Sequence, residues 1–401
     1  MKRLILCLDG TWNSAYAESK RDDGIKVLKP SNVLKLARGI EPEDDEGNQQ
    51  VVYYDTGVGS LAKYPGFANW FLSKVDKTAG GAWGAGFEAN IEDALTFIVN
   101  NYNPGEGKKK ADEVLVFGFS RGAATARALT QFISWMDGMP VKADAYFLPK
   151  LFRIYVKAKG KTTISKAKEK INKEIDKVNE TRKRKIDYPF QEWNQVRINF
   201  LGVWDTVLAL GGRVVTMKSR KFYLSDQPAK CVDHARQALA IDEQRYDFLP
   251  EVWQSPSFEG QTLEQNWFAG VHSNIGGGYA NDGLANITLH WMVNRIKDVI
   301  VGFKTNDDFL NIYGPFPQDE MVDSKTKTYK AKDFVMRKKG MRKIITNLDN
   351  GYQKSGLKVH RKVRERMEAD FQQYEHMNRR YQPKNLVKYL KDKDPSQVFD
   401  E

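Results

Sequence analysis

Cysteine is almost absent from this chain: Cys7 and Cys231 are the only two in 401 residues. They lie far apart, and Cys7 falls inside an apolar run, so neither a disulfide framework nor a cysteine-based metal knuckle is encoded. Long apolar runs are missing too. None approaches the ~20 residues a membrane-spanning helix needs. The opening run Leu4-Ile5-Leu6-Cys7-Leu8 stops at Asp9 with no small-residue cleavage site behind it, and so reads as a first strand rather than a signal peptide. The expectation is a chain made in the cytoplasm, soluble or peripheral at membranes, which leaves the cell, if at all, by a route needing no signal peptide. Internal repeats, low-complexity linkers, recognised nucleic-acid modules and basic-aromatic interleaving are likewise missing, so no nucleic acid is expected as a partner. Histidine is scarce, with five in the chain, which narrows the search for a catalytic base.

What the chain does have is bulk and positive charge. Hydrophobic residues make up 41% and aromatics 12%, enough for one large α/β domain with insertions or for two ordinary domains. Lys and Arg outnumber Asp and Glu by 63 to 51, a formal charge of +12 that favours anionic partners such as a phospholipid surface.

Short apolar runs at Leu4 to Leu8, Val51 to Tyr54, Val114 to Phe117, Ile198 to Val203 and Trp267 to Val271 read as strands. Helical patterns lie between them, at Ser31 to Gly39, Phe87 to Tyr102, Arg121 to Trp135, Val232 to Ile241 and Leu284 to Val299. That alternation predicts an α/β fold, a mostly parallel sheet with helices on both faces. The segment 157–187 departs from it, with twelve Lys/Arg against five Asp/Glu. Ile164, Ile171, Ile175 and Val178 recur there at helical spacing, which predicts a basic amphipathic helix, either a solvated insertion or a cap element lying on anionic lipid. Residues 1–302 are expected to form the catalytic domain, and 303–401 a basic, mainly helical region packed on it.

The chemistry concentrates at Gly118-Phe119-Ser120-Arg121-Gly122. An apolar run precedes this pentapeptide and a helical pattern follows it, the context a nucleophile elbow requires. A serine hydroxyl needs a base within hydrogen-bond reach and a third group to orient that base. His234, His290, His360 and His376 fall in helical patterns, whereas His272 follows an apolar run and precedes Gly276-Gly277-Gly278, the position expected of the base. Asp205 ends the apolar run Phe200 to Val203 with Trp204 between, and lies between serine and histidine in chain order. Asp233 and Asp242 compete less well because the helical pattern covers that region. An oxyanion hole needs two backbone N–H groups. One candidate is Arg121 and the other is Gly10 or Thr11, in the loop after the first strand. Asp9, Asp55 and Gly57 belong to the same pair of strand-end loops and are expected to shape the pocket. The glycine-rich loop after Asp55 lacks the lysine of a P-loop.

Together, Leu8-Asp9-Gly10-Thr11-Trp12-Asn13, Tyr54-Asp55-Thr56-Gly57-Val58-Gly59, the Ser120 elbow, Gly202-Val203-Trp204-Asp205-Thr206-Val207 and Phe268-Ala269-Gly270-Val271-His272-Ser273 resemble an α/β-hydrolase family that includes type VI secretion phospholipase effectors. The resemblance covers residue 1 to about 300. It implies a lipase-type hydrolase with Ser120 as nucleophile, Asp205 as acid and His272 as base, acting on carboxylic esters of glycerophospholipids without metal or cofactor. A regulatory or immunity protein is the kind of partner it implies. Two positions depart from the family pattern: Asn274 stands where His-Ser-Asp is usual, and Asn286 where an acid is frequent. The sequence leaves two rival functions open. One is the same triad acting on a soluble ester, thioester or amide; the other is an idle hydrolase core that binds nucleic acid or serves as a scaffold.

Overall fold

The computed structural model describes residues 1–10, 18–20, 26–57, 82–107, 109–181, 190–207, 224–324, 340–377 and 379–400, and the structural statements made here concern these. Seven strands form one sheet: β1 (Lys2–Leu8), β2 (Gln49–Asp55), β3 (Glu113–Phe119), β4 (Ile198–Trp204), β5 (Val232–Ala240), β6 (Thr262–Phe268) and β7 (Leu357–Val359). Their spatial order is β2-β1-β3-β4-β5-β6-β7, and every neighbouring pair is parallel. This is the parallel α/β architecture the alternation predicts, and it fits the α/β-hydrolase-like fold the resemblance implies.

Period-two alternation along each strand feeds two cores. Leu4, Leu6, Leu8, Val114 and Val116 point into one layer, and Ile5, Cys7, Leu115 and Phe117 into the other. The first layer is covered by α2 (Ala82–Asn101), α3 (Arg121–Met136), α4 (Leu148–Ala158) and α5 (Ile164–Thr181). The second is covered by α1 (Asn32–Gly39) and α7 (Gly283–Lys297), with α6 (His272–Gly276) between β6 and α7. Ser31 starts α1 by accepting a hydrogen bond from the Leu34 N–H at 3.1 Å. Burying such side chains contributes roughly 1.5–3 kcal/mol each, and both faces of the sheet are served.

Three expectations change. Val232 to Ile241, read as a helix, is β5, in parallel register with β4 and β6. Its Ala, Leu, Gln and Arg carry helix propensity, but propensity is a weak prior, and here the strand is flanked by ladder partners on both sides. His234 and Asp233 therefore lie on a strand and Asp242 just beyond it, while His376 lies in a turn. The basic segment forms α5 as far as Thr181, and residues 182–189 lie outside those described. Ile171 and Ala167 are buried in the first core with Ile164 and Ile175 packed against it, so the apolar stripe faces protein rather than lipid. Only Val178 of the stripe is exposed.

Beyond residue 303 the described chain contains short helices, turns and β7. It closes the sheet edge and builds a third core, in which Ile344, Val363, Leu386 and Phe399 pack against Leu239 and Trp267. The indole N–H of Trp267 donates to the Ile345 carbonyl at 2.8 Å.

Candidate active site

Strand order reverses about β1, whose chain-order successor β2 lies on one side while β3 lies on the other. Crevices at the carboxyl ends of strands at such a reversal are where open α/β sheets hold ligands. Ser120 lies there, in the turn between β3 and α3.

Its backbone has φ 58° and ψ −118°. Four non-glycine residues among those described have positive φ; Asp137 and Lys159 are ordinary left-handed helix C-caps, whereas Ser120 and Asp205 end adjacent strands. Such conformations cost about 1–3 kcal/mol and persist only where surroundings impose them. At Ser120 the N–H donates to the Trp204 carbonyl at 3.1 Å, and the carbonyl accepts from the Ala124 N–H at 3.2 Å. The flanking glycines are steric requirements. A Cβ on Gly118 would lie 2.4 Å from the Gly122 carbonyl oxygen, and one on Gly122 would lie 2.1 Å from the Leu8 carbonyl oxygen. The elbow is thus pressed against the end of β1.

Asp205 follows β4, the neighbour of β3, and His272 opens α6, four residues after β6. All three side chains are buried. The Ser120 Oγ lies 2.8 Å from His272 Nε2, and His272 Nδ1 lies 2.6 Å from Asp205 Oδ2. The structure brings the three sequence-predicted residues into one hydrogen-bonded row, although His272 sits on a short helix rather than in the strand-end loop expected. Its ring packs between Phe119 and Phe248, with centroids 4.7 and 4.9 Å away. Its backbone N–H donates to Glu243 Oε2 at 3.3 Å.

Burial disfavours the imidazolium, and this outweighs the opposing pull of Asp205 and Glu243, leaving the His272 pKa below its usual 6.5. Burial also works against the Asp205 carboxylate, yet the Arg342 guanidinium and the hydrogen bonds from His272 and Arg342 overcome it. Asp205 is held well below the usual carboxylate range. A neutral imidazole between a hydroxyl and a fixed carboxylate has the protonation pattern needed to withdraw a hydroxyl proton at neutral pH.

Arg342 is the residue that sequence reasoning missed. Its guanidinium grips both Asp205 oxygens, Nη1 to Oδ1 at 2.6 Å and Nη2 to Oδ2 at 2.9 Å, from 137 positions away in the chain. Glu243 is buried and accepts from Arg245 and Ser324 besides the His272 N–H.

The expected oxyanion loop is partly engaged. Gly10 N–H donates to its neighbour's carboxylate, Asp9 Oδ1, at 2.6 Å. Asp9 Oδ2 accepts from Ser31 Oγ and, at 2.8 Å, from the Tyr54 hydroxyl. Asp55 accepts from the Gly57 N–H at 2.9 Å, and its carbonyl accepts from Asp9 N–H at 2.9 Å, tying the two loops together. Arg121 is the first residue of α3, next to Ser120, and Thr11 lies outside the described residues.

The two departures have local roles. Asn274 Oδ1 accepts from the Val271 N–H at 3.2 Å and so helps shape the turn that presents His272. Asn286 Oδ1 accepts from the buried Lys35 Nζ at 2.6 Å. Among the described residues no cluster of His, Cys, Asp and Glu could hold a metal ion, and no helix is long and apolar enough to cross a membrane. A cavity of about 870 Å³ lies beyond Val271, with Asp242, Glu243, Arg366, Arg380 and Tyr381 in its wall; Ser120, Asp205 and His272 do not line it. Burial there raises Asp242 to about 6, against the hydrogen bond from Tyr381.

A family model described as type VI secretion system (T6SS), phospholipase effector Tle1-like, catalytic domain, matches residues 2–295. The chain belongs to this Tle1-like family. An uncharacterized protein of Saccharomyces cerevisiae is 25% identical over 250 residues, which is 62% of this chain but 32% of the yeast protein. Among solved structures, an uncharacterized protein from Pseudomonas aeruginosa is 17% identical with a TM-score of 0.41, over 79% of this chain and 49% of that one. The structure of the Tle1 effector bound to the VgrG spike of the type VI secretion system is 21% identical with a TM-score of 0.35, over 70% and 51%. The chain therefore spans about a third to a half of the length of these proteins. The Tle1-like match ends before β7 and before Arg342.

Proposed function

We propose that this protein is a serine hydrolase that cleaves carboxylic ester bonds of glycerophospholipids. The observation that carries the reading is the row Ser120, His272, Asp205 at the strand ends of a chain in a phospholipase effector family. His272 Nε2 takes the Ser120 proton as Oγ attacks the acyl carbonyl carbon, and Asp205 holds the Nδ1–H and stabilises the imidazolium. In this reading the developing oxyanion takes the Arg121 N–H and a second N–H from the loop after β1, that of Gly10 once released from Asp9 Oδ1 or that of Thr11; each such donor typically contributes about 10²–10³ in rate. Collapse of the tetrahedral intermediate breaks the ester bond. The imidazolium proton goes to the departing lysophospholipid oxygen, and the acyl group stays on Ser120. Water, deprotonated by His272, then releases the fatty acid. No metal or cofactor takes part in these steps.

The test is mass spectrometry of phospholipid mixtures incubated with the wild type and with Ser120→Ala. Serine-dependent release of fatty acid and lysophospholipid is expected; its absence would sink the proposal. Running micellar and monomeric esters alongside separates a lipase from a soluble esterase, since a lipase is activated at the interface.

The pH profile follows from the His272 environment, in which burial outweighs Asp205 and Glu243 and is joined by Arg245. Activity needs neutral imidazole, so kcat/KM is expected to rise to its plateau with a half-maximal point below pH 6.5. A half-maximal point above 6.5 contradicts this assignment.

The substrate surface is proposed to be an anionic membrane. Lys166, Lys170 and Lys177 of α5 are exposed on the side away from its buried stripe, adding to the overall charge of +12. Vesicle binding is expected to rise with anionic lipid content and weaken from low salt to 0.5 M salt. Equal binding to neutral and anionic vesicles excludes this surface. Delivery by a type VI route, and a cognate immunity protein, are proposals that rest on the family alone.

A further inference from the structure

We propose that Arg342 is a positioning residue of the catalytic row, so that the chain beyond the Tle1-like match completes the active site. The inference rests on the hydrolase reading of Ser120. Arg342 is fully buried, and its terminal nitrogens are all engaged around one carboxylate. Nη1 donates to Asp205 Oδ1 and to the Ala240 carbonyl at 2.9 Å, and Nη2 donates to Asp205 Oδ2 and to the Phe248 carbonyl at 2.6 Å. Asp205 Oδ1 also accepts the Ala240 N–H at 3.0 Å, which leaves Oδ2 as the oxygen shared with His272. A bidentate guanidinium fixes the plane of a carboxylate in a way a single hydrogen bond cannot. The rotation of Asp205, and through it the tilt of the imidazole, is therefore set by Arg342.

The segment bearing Arg342 is itself locked in place. A Cβ on Gly340 would fall 2.0 Å from the Gln244 carbonyl oxygen, so the backbone lies directly on the turn after β5. Asn385 Nδ2 donates both to the Arg342 carbonyl at 3.1 Å and to the Ile241 carbonyl at 2.9 Å.

Electrostatics adds a consequence that packing alone would not have. The charged groups around His272 are Asp205, Glu243, Arg245 and, through Asp205, Arg342; Asp242 lies farther along the same turn, within the field of Arg342 and Arg366. With the guanidinium gone, the Asp205 charge acts on the imidazole unopposed and raises its pKa. Asp205 itself loses the partner that offsets its burial, so its own pKa also rises. Both changes move the acid limb of Ser120 reactivity to higher pH.

The experiment measures the rate of Ser120 labelling by a fluorophosphonate against pH in the full-length wild type, Arg342→Met and Arg342→Lys, with circular dichroism to confirm folding. Labelling of the wild type with a plateau at neutral pH is expected; a wild type that is not labelled refutes the serine-hydrolase reading itself, and the Arg342 role with it. Arg342→Met is expected to label at least about tenfold more slowly, with its acid limb about one pH unit higher. Arg342→Lys, which keeps the charge without the fork, should recover the limb but not the full rate. If Arg342→Met does not fold, Arg342→Lys carries the test through its slower plateau at an unchanged limb. Wild-type rates in the folded variants, or a slower plateau in Arg342→Met with an unmoved limb, would overturn the proposal.

Discussion

His272→Ala is expected to reduce phospholipid hydrolysis by about a millionfold, as is Ser120→Ala, and the double variant to lose little more than either alone. The reason is the geometry of one shared hydrogen. His272 Nε2 is 2.8 Å from Ser120 Oγ, and among the described residues no other imidazole contacts that oxygen. Without the base the hydroxyl stays protonated at neutral pH; without the hydroxyl the base has nothing to activate. The two losses therefore describe one event and do not add. Steady-state rates for the two single variants and the double variant form the cycle that measures this. If the double variant fell by the product of the single effects, the two residues would be acting independently and the row would have another purpose.

Asp205→Asn carries the second-largest effect, about 10⁴-fold in kcat, because an amide cannot fix the Nδ1–H tautomer or stabilise imidazolium. Here the substitution has a further cost. Arg342 is fully buried and spends both terminal nitrogens on the Asp205 carboxylate, so asparagine leaves a guanidinium without its counter-charge in the protein interior. Removing one partner of a buried pair costs about 3–5 kcal/mol. Asp205→Asn should therefore combine the kinetic loss with a clear fall in melting temperature, whereas Ser120→Ala, which keeps the Cβ, the backbone hydrogen bonds of the turn and the buried Asp205–Arg342 pair, should melt close to the wild-type value. Thermal melts of the two variants side by side distinguish them. A wild-type melting temperature for Asp205→Asn would mean that the pair with Arg342 contributes nothing to folding.

The row Ser120, His272, Asp205 was legible in the sequence because its backbone demands are severe. Gly118 and Gly122 are needed where β3 turns into α3 against Leu8, and the glycines after His272 bracket a tight turn; such requirements leave marks in local sequence. The strands of the central sheet were legible where they are buried on both faces and bounded by turn residues, as in β1, β3 and β4. β5 was not, since its alanines, glutamine and arginine carry the composition of a helix and only its neighbours make it a strand. The polar first half of β6 and the three residues of β7 gave no periodic signal either. Arg342 left no trace because its role depends on a contact spanning 137 positions, and one arginine in a basic region looks like any other. The engagement of the Gly10 N–H by Asp9 was equally hidden, being a choice of side-chain rotamer rather than of residue type.

Everything proposed for this protein turns on Ser120 being the group that attacks the lipid ester. The deciding measurement titrates the protein with a fluorophosphonate while following both phospholipid hydrolysis and the modified peptide by mass spectrometry. A single adduct is expected, on Ser120, with hydrolysis falling in proportion to the fraction modified and reaching zero at one equivalent. Full modification of Ser120 with lipid hydrolysis intact, or inactivation by an adduct on another residue, would contradict it.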